Sequence, residues 1–496
     1  MSEKRKSLVL ITVDCLRSDH CGFYGYSRPT TPFLDTLAAE SFVVPAAVIA
    51  GAPTYFSFPA ILASRMPLAL GRDVVGLAPG ENTVATALRE AGYATAAFSA
   101  ANPYLSPRFG YDQGFDVFQD FLDFDVPAIQ SADEGQHSEA LSNRGRLNQS
   151  LKRAARAVGL GRLYDDLYFQ YCARIAAPAV DSMDALRRFP SAEVMVDRAI
   201  SWLPSAIPRP FFLWLHLMDP HSPYYPSPAA FRELAGRDAS ASGARYLNEF
   251  WNRSDLTPSR LRSKKESVVE LYDAGIRSMD DQVARLVAQL KQSNLWDNCT
   301  FVLTADHGEE FLDHGCRYHA PVSLREEIAR VPLMIHVPSA AKKQVPETPF
   351  SHLHLAPTLL DILDVPAVAT FRGTSLWRHL QQGTPWDDPA IAECVYGCTN
   401  PFRAQNRIGA RLLSVRTARH KLVMRVETGG IEEMYDLEGD PGEEKPLSAG
   451  SHKEVRKYLL QAAYEHIQRT SSGRDVTACL KARLRDLRVE LESSSR

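Results

Sequence analysis

Asp14, Thr54, Ser57, His221, Asp306, His307, His314 and His319 are the residues of this chain whose types could do chemistry together. Asp14 closes the apolar run "SLVLITV", Asp306-His307 closes "CTFVLTA", and Asp219-Pro220-His221 follows "PFFLWLHLM". Thr54 and Ser57 lie in "GAPTYFSFPAILASRMP", directly after the apolar run "FVVPAAVIA". Each has an ordinary explanation when taken singly. An Asp at a strand end caps a helix or turns the chain, Asp-His-Gly makes a turn, and a His in "DPHSPY" stacks in a proline-rich loop. Taken jointly they have a chemistry. Two carboxylates, an imidazole and a hydroxyl suit a divalent cation that holds an oxyanion. Further His residues can hold or protonate that anion.

A parallel sheet would bring these residues to one edge, because ligands of such sheets bind outside the carboxyl ends of the strands. "SLVLITVD" is a short, near-continuous apolar run, as a strand buried on both faces requires. "TTPFLDTLAAES" reads as a helix, with Thr31 as its cap and Pro32 at its first position. "FVVPAAVIA" is the next strand, and "TVATALREAGYATAAFSA" reads as helix, Gly stop and strand. "PFFLWLHLMD", "CTFVLTADHGEE" and "VPLMIHVP" are further buried strands. The alternation predicts an α/β fold with a mainly parallel sheet sandwiched by helices.

The pattern changes between about 120 and 200. "DEGQHSEALSNRGRLNQS" reads as a polar loop and "LKRAARAVGLGRLYDDLYFQYCARI" as helix, together an insertion on the core. The catalytic domain then covers 1–384. Residues 385–470, with shorter strands and turns, form a small C-terminal antiparallel-sheet domain. In 471–496, Val476, Leu480, Leu484, Leu487 and Leu491 share one face of a closing helix that packs on its own body.

Composition narrows the classes. A net charge of −3 offers no field for nucleic acid or an anionic membrane. The apolar run after the basic start is too short for a secretory signal, and no run reaches the roughly 18 residues of a membrane span. Eight scattered Cys fit a reducing compartment, and the expectation is a cytoplasmic protein. Cys394 and Cys398 form a lone C-x3-C, read as two structural thiols because a metal site needs more ligands.

In order along the chain, "LITVDCLRSDHCGFYGYSRPTTPFLDTLAAES", "NTVATALREAGYATAAFSANPYL", "RPFFLWLHLMDPHSPYYP", "FVLTADHGEEFLDHG", "RVPLMIHVP" and "MYDLEGDPGEE" resemble the landmarks of the sulfatase family of the alkaline phosphatase superfamily. The resemblance spans about residues 7 to 445. It implies an alkaline-phosphatase-like α/β domain with a smaller C-terminal antiparallel domain. It implies one divalent metal ion held by Asp14, Asp306 and His307, with Thr54 as fourth contact, and His221 and His319 on the ester's anionic group. The substrate would be a small-molecule or conjugate sulfate or phosphate ester, phosphodiesters included.

Three departures shape the expectation. Cys15 stands where many sulfatases have a second Asp, and His307 stands where calcium-binding sulfatases have Asn, so Mn²⁺ or Zn²⁺ is favoured over Ca²⁺ or Mg²⁺. The formylglycine motif C/S-x-P-x-R is missing, because Thr54-Tyr55-Phe56-Ser57-Phe58 lacks the Pro and the Arg. Counting back from Ser64-Arg65-Met66-Pro67 puts Thr54 at the nucleophile position, where strand gives way to helix and free N–H groups face an anion. Ser57 is expected to cap that helix. Thr54 would react as a plain hydroxyl, through a covalent ester. Two alternatives stand beside hydrolysis: a phosphoryl-group transferase, since "GAPTYFSFP" also resembles the nucleophile region of phosphoethanolamine transferases, and a catalytically inactive relative kept for binding.

Overall fold

Seven runs of apolar residues meet edge to edge to form the central sheet. The computed structural model describes residues 5–123, 143–172, 180, 182–426, 430–448 and 451–470. The first strands are β1 (Ser7–Val13), β2 (Phe42–Val43), β3 (Ala47–Val48), β4 (Ala94–Ser99), β5 (Val117–Gln119), β6 (Phe211–Leu217) and β7 (Cys299–Ala305). After them come β8 (Glu310–Phe311), β9 (Arg317–Tyr318), β10 (Arg330–Val331), β11 (Leu333–His336) and β12 (Phe350–Ser351). The C-terminal strands are β13 (Ala390–Val395), β14 (Arg411–Arg416), β15 (His420–Arg425) and β16 (Gly430–Asp436). The main sheet has the order β2-β11-β7-β1-β6-β4-β5. β7, β1, β6, β4 and β5 run parallel, and only the pairings of β11 with β7 and β2 are antiparallel. Every residue of β1, β6 and β7 is buried, which is why these strands read as apolar runs without alternation.

"FVVPAAVIA" is not one strand. It divides around Pro45, which has no N–H for a ladder. β2 joins the main sheet, while β3 joins a small sheet with β10 and β12.

The helices α1 (Pro32–Ala38), α2 (Thr54–Ala63), α3 (Val84–Glu90), α4 (Asn143–Ala157), α5 (Gly161–Tyr171) and α6 (Ala192–Ala206) are followed by α7 (Pro228–Ala235), α8 (Ala241–Trp251) and the long α9 (Pro258–Gln292). α9 lies against α1, α6, α7 and α8. Thr31 does not cap α1 with its side chain. Instead the Asp280 carboxylate of α9 accepts from Phe33 N at 2.8 Å and Leu34 N at 2.9 Å. Within the expected insertion, "NRGRLNQS" is the first part of α4 rather than loop, and α6 packs on β4 and β6 as part of the core layer.

Strands β13 to β16 form the C-terminal antiparallel sheet. Residues 453–470 are helical and close it, with Leu459 and Ala463 packed on Leu413, Leu422, Met424 and Met434. The expected helix in 471–496 lies outside the described residues. Among the described residues no helix is long and apolar enough to cross a membrane.

Candidate active site

β1 and β7 are neighbours in register, Val13 opposite Ala305, so the residues that follow them, Asp14 and Asp306, leave the sheet side by side. Both are fully buried. The chain then turns sharply at each. Cys15 takes a left-handed conformation, φ 62°. After His307, Gly308 is required, because a Cβ there would meet Glu327 O at 1.9 Å.

α2 brings the hydroxyl. It begins at Thr54, after Pro53 as cap. Thr54 Oγ1 lies 3.2 Å from His307 Nε2. The same nitrogen is 3.5 Å from Asp306 Oδ2 and 3.7 Å from Asp14 Oδ1. His307 Nδ1 donates to Gly308 O at 2.9 Å, which leaves the lone pair on Nε2, facing these oxygens. The structure thus brings Asp14, Thr54 and Asp306 within 3.2–3.7 Å of His307 Nε2.

This donor set fits a divalent cation. Asp306 Oδ2 is buried and has no hydrogen-bond partner. Burial, joined by the neighbouring Asp14 charge, pushes the Asp306 carboxyl up. Burial would push Asp14 up as well, but the surrounding imidazoles, led by His221 and charged at the acid pH where a carboxylate titrates, outweigh it and hold Asp14 well below the usual carboxylate range. Two buried carboxylates in apposition are stable together only with a compensating positive charge.

His221 and His319 are partly exposed and stand over this cluster, with ring centroids 5.2 Å apart. The His319 ring is 4.5 Å from that of His307. The two differ in charge. Burial would lower His319, yet Glu309, Asp14 and Asp306 raise it to about 9, so at neutral pH it is an imidazolium. Its Nδ1 lies 3.5 Å from Glu309 Oε2. Burial lowers His221, so it is neutral. One cation and one neutral imidazole at the mouth suit binding an anion and moving a proton.

The remaining candidates fall elsewhere. Ser57 does not cap α2: it lies in the second half-turn, fully buried, its Oγ without a hydrogen-bond partner. His314 binds Glu327 at 2.6 Å and Gly442 O at 2.9 Å, tying the turn after β8 to the loop after β16. Asp219 is structural, paired with Arg187 at 3.2 Å and accepting from Ala192 N at 2.8 Å at the start of α6. Cys15 donates to Asp14 Oδ1 at 3.0 Å, and burial, with Glu309, Asp14 and Asp306 nearby, pushes its thiol well up, so it stays neutral. Cys394 and Cys398 are buried free thiols.

Sequence reasoning missed three residues. Asn102 donates to Asp14 Oδ2 at 3.0 Å from the loop after β4. Glu309, fully buried, faces His319. His216 lies in β6 with Nε2 3.5 Å from Asp14 Oδ2. The signal for His216 was an imidazole inside an otherwise apolar strand.

The family model described as Sulfatase matches residues 6–365, and that described as N-sulphoglucosamine sulphohydrolase, C-terminal, matches residues 317–469. The chain is 23% identical to an arylsulfatase of Clostridium perfringens over 95% of its own length and 96% of that protein's. A protein solved in complex with its substrate D-glucosamine-2-N,6-O-disulfate shares the fold with a TM-score of 0.66 and 18% identity, over 95% of this chain and 99% of that one. The phosphonate monoester hydrolase of Agrobacterium radiobacter does so with a TM-score of 0.60 and 18% identity, over 95% and 96% of the two chains. The match to the Sulfatase family model covers most of the chain, and the chain belongs to the sulfatase family, metal-dependent hydrolases of sulfuric esters.

Proposed function

We propose that this sulfatase-family hydrolase works through a covalent ester on Thr54, with one divalent cation held by Asp14, Thr54, Asp306 and His307. The observation that carries the reading is the position of Thr54. Its hydroxyl starts α2, 4% exposed, and touches the free lone pair of His307. When bound, the cation would screen the ester's anion and lower the pKa of the Thr54 hydroxyl, an effect worth several kcal/mol in such sites.

The chain's own groups do the rest. The start of α2 directs its positive end toward the anion. Thr54 Oγ1, its proton given up to solvent beforehand, attacks sulfur or phosphorus as the bond to the leaving oxygen breaks. His319, an imidazolium behind which Glu309 is buried, binds the anion or gives its proton to that oxygen. Water then attacks the Thr54 ester, returning the hydroxyl and releasing sulfate or phosphate. Neutral His221 is placed to accept the proton of that water.

His307 in place of a harder oxygen ligand favours Mn²⁺ or Zn²⁺ over Ca²⁺ or Mg²⁺. A plain Thr hydroxyl suits phosphoryl centres at least as well as sulfuryl ones. Of two proteins that share this fold, one was solved with a sugar disulfate as its substrate and the other is a phosphonate monoester hydrolase. The test is turnover of aryl sulfates, phosphate monoesters, phosphodiesters and phosphonates by stripped enzyme reloaded with each ion. Highest activity with Ca²⁺ would reject the ion preference, and no turnover with any ester would favour a binding role. Products formed with and without an acceptor alcohol separate hydrolysis from transfer.

A further inference from the structure

We propose that His216 is a further ligand of the same cation, through Nε2; this rests on the metal set given above. β6 pairs with β1 so that His216 lies opposite Thr12, two residues before Asp14. The imidazole is fully buried in a strand that is otherwise apolar. Burying a polar ring costs free energy unless both nitrogens are used. Only one is satisfied by the protein: Nδ1 is 3.0 Å from Thr12 Oγ1, whereas Nε2 has no hydrogen-bond partner.

The surroundings set the tautomer. Thr12 Oγ1 accepts from Trp214 Nε1 at 3.0 Å, and its own hydrogen reaches Leu215 O at 3.4 Å. With that hydrogen so used, the hydroxyl oxygen accepts from His216 Nδ1–H as well, and the lone pair of the ring stands on Nε2. The arrangement parallels His307, whose Nδ1–H is fixed by Gly308 O.

Distance separates a ligand from a hydrogen-bond donor. A charge-assisted N–H···O bond spans about 2.7–2.9 Å. His216 Nε2 lies 3.5 Å from Asp14 Oδ2, an oxygen that Asn102 already serves at 3.0 Å. Two donors at about 2.0–2.2 Å from a shared cation, subtending about 90–120° there, lie about 2.8–3.8 Å apart. His307 keeps the same spacing to Asp306 Oδ2, 3.5 Å. Donor atoms of Asp14, His216 and Asp306 all lie within 4.8 Å of one another. Phe58 stands edge-on to the His216 ring, centroids 5.2 Å apart at 86°, and so fixes its plane without offering a hydrogen bond. The resulting set has two imidazoles, two carboxylates and one hydroxyl.

Proton NMR of the Co²⁺-loaded protein tests this. Each Co²⁺-bound imidazole with a hydrogen-bonded distal N–H gives one exchangeable, strongly shifted resonance. Two such resonances are expected, one of them lost in His216→Gln and both lost in His307→Ala, which should no longer hold the ion. Co²⁺ affinity, read by titration, should fall at least about tenfold in His216→Gln. If His216→Gln does not fold, the count in the wild-type protein decides: two supports the inference and one overturns it. Retention of both resonances in His216→Gln would also overturn it. Retention of both in His307→Ala would instead remove His307 from the underlying metal set and leave His216 in place.

Discussion

Two clusters of buried charge sit in this molecule, and they are finished differently. At the C-terminal sheet, Glu393 is fully buried, with Oε2 on Arg411 and on His466 Nε2 at 3.0 Å, and Oε1 accepting from Leu68 N at 2.9 Å. Thr470 joins through Arg411 at 3.1 Å. At the strand ends of the main sheet, Asp306 Oδ2, His216 Nε2 and both oxygens of Glu309 are buried without hydrogen bonds. A buried carboxylate with both oxygens bonded holds parts together; buried carboxylate oxygens left without bonds, at the carboxyl edge of a parallel sheet, suit something that comes from outside. The first cluster joins the closing helix to β13 and β14, and the second is the proposed reaction centre. Mutations should therefore split into two kinds, those that cost activity and those that cost stability.

The largest effect is expected at the metal set. Asp306→Asn and His307→Ala should lose bound metal and turnover together while circular dichroism stays native. Full metal content by elemental analysis in either variant would remove that residue from the set. His319→Ala and His221→Ala should keep the metal but lower turnover about a hundred- to ten-thousand-fold, the usual worth of acid–base or electrostatic help. Loss of metal in either would make that His a ligand instead.

Glu393→Gln inverts the pattern. It leaves Arg411 without its buried charge partner, and unpairing such a charge costs about 3–5 kcal/mol of stability. Turnover per folded molecule should not change; a denaturation midpoint equal to wild type would break the comparison. The same cluster predicts a pH dependence. Burial would raise Glu393, but Arg411 and His466 outweigh it and bring it from 4.5 to about 2. Each pH unit of that depression is about 1.4 kcal/mol, so the carboxylate contributes about 3 kcal/mol. A depressed acid stabilises above its unfolded value, so this contribution is whole above about pH 4.5 and disappears as pH falls toward 2. Glu393→Gln should flatten the fall in thermal midpoint across that window. An unchanged slope would mean that other acids carry it.

The smallest effect is expected at Ser57. Ser57→Ala removes a buried hydroxyl that has no partner, so most activity should remain and stability should change by less than about 1 kcal/mol. A large loss of turnover would bring Ser57 into the chemistry.

Much of this was legible in the sequence. Strand ends announce themselves when an apolar run stops at a polar residue, and Asp14, Asp306, His307 and His221 all follow such runs. Thr54 was legible from the Gly-Pro break before a buried helix. Ser57 was misread because cap preference belongs to residue type, whereas the cap position depends on where the helix starts, and α2 starts at Thr54. Pro45 was a visible sign that "FVVPAAVIA" could not be one strand. His216 was hidden for a different reason. Its partners, Thr12 and Asp14, are two hundred residues away in the chain, and only the parallel pairing of β6 with β1 puts them beside it. Glu309 and Asn102 likewise acquire meaning only from the turns after β7 and β4.

The central claim is that Thr54 carries the transferred group. Metal-loaded enzyme mixed with substrate, quenched in acid and digested, should show by mass spectrometry a sulfate or phosphate adduct on the peptide containing Thr54, at that residue, and none in Thr54→Ala, which should be inactive. An adduct on Ser57, or turnover by Thr54→Ala near the wild-type rate, would contradict the account.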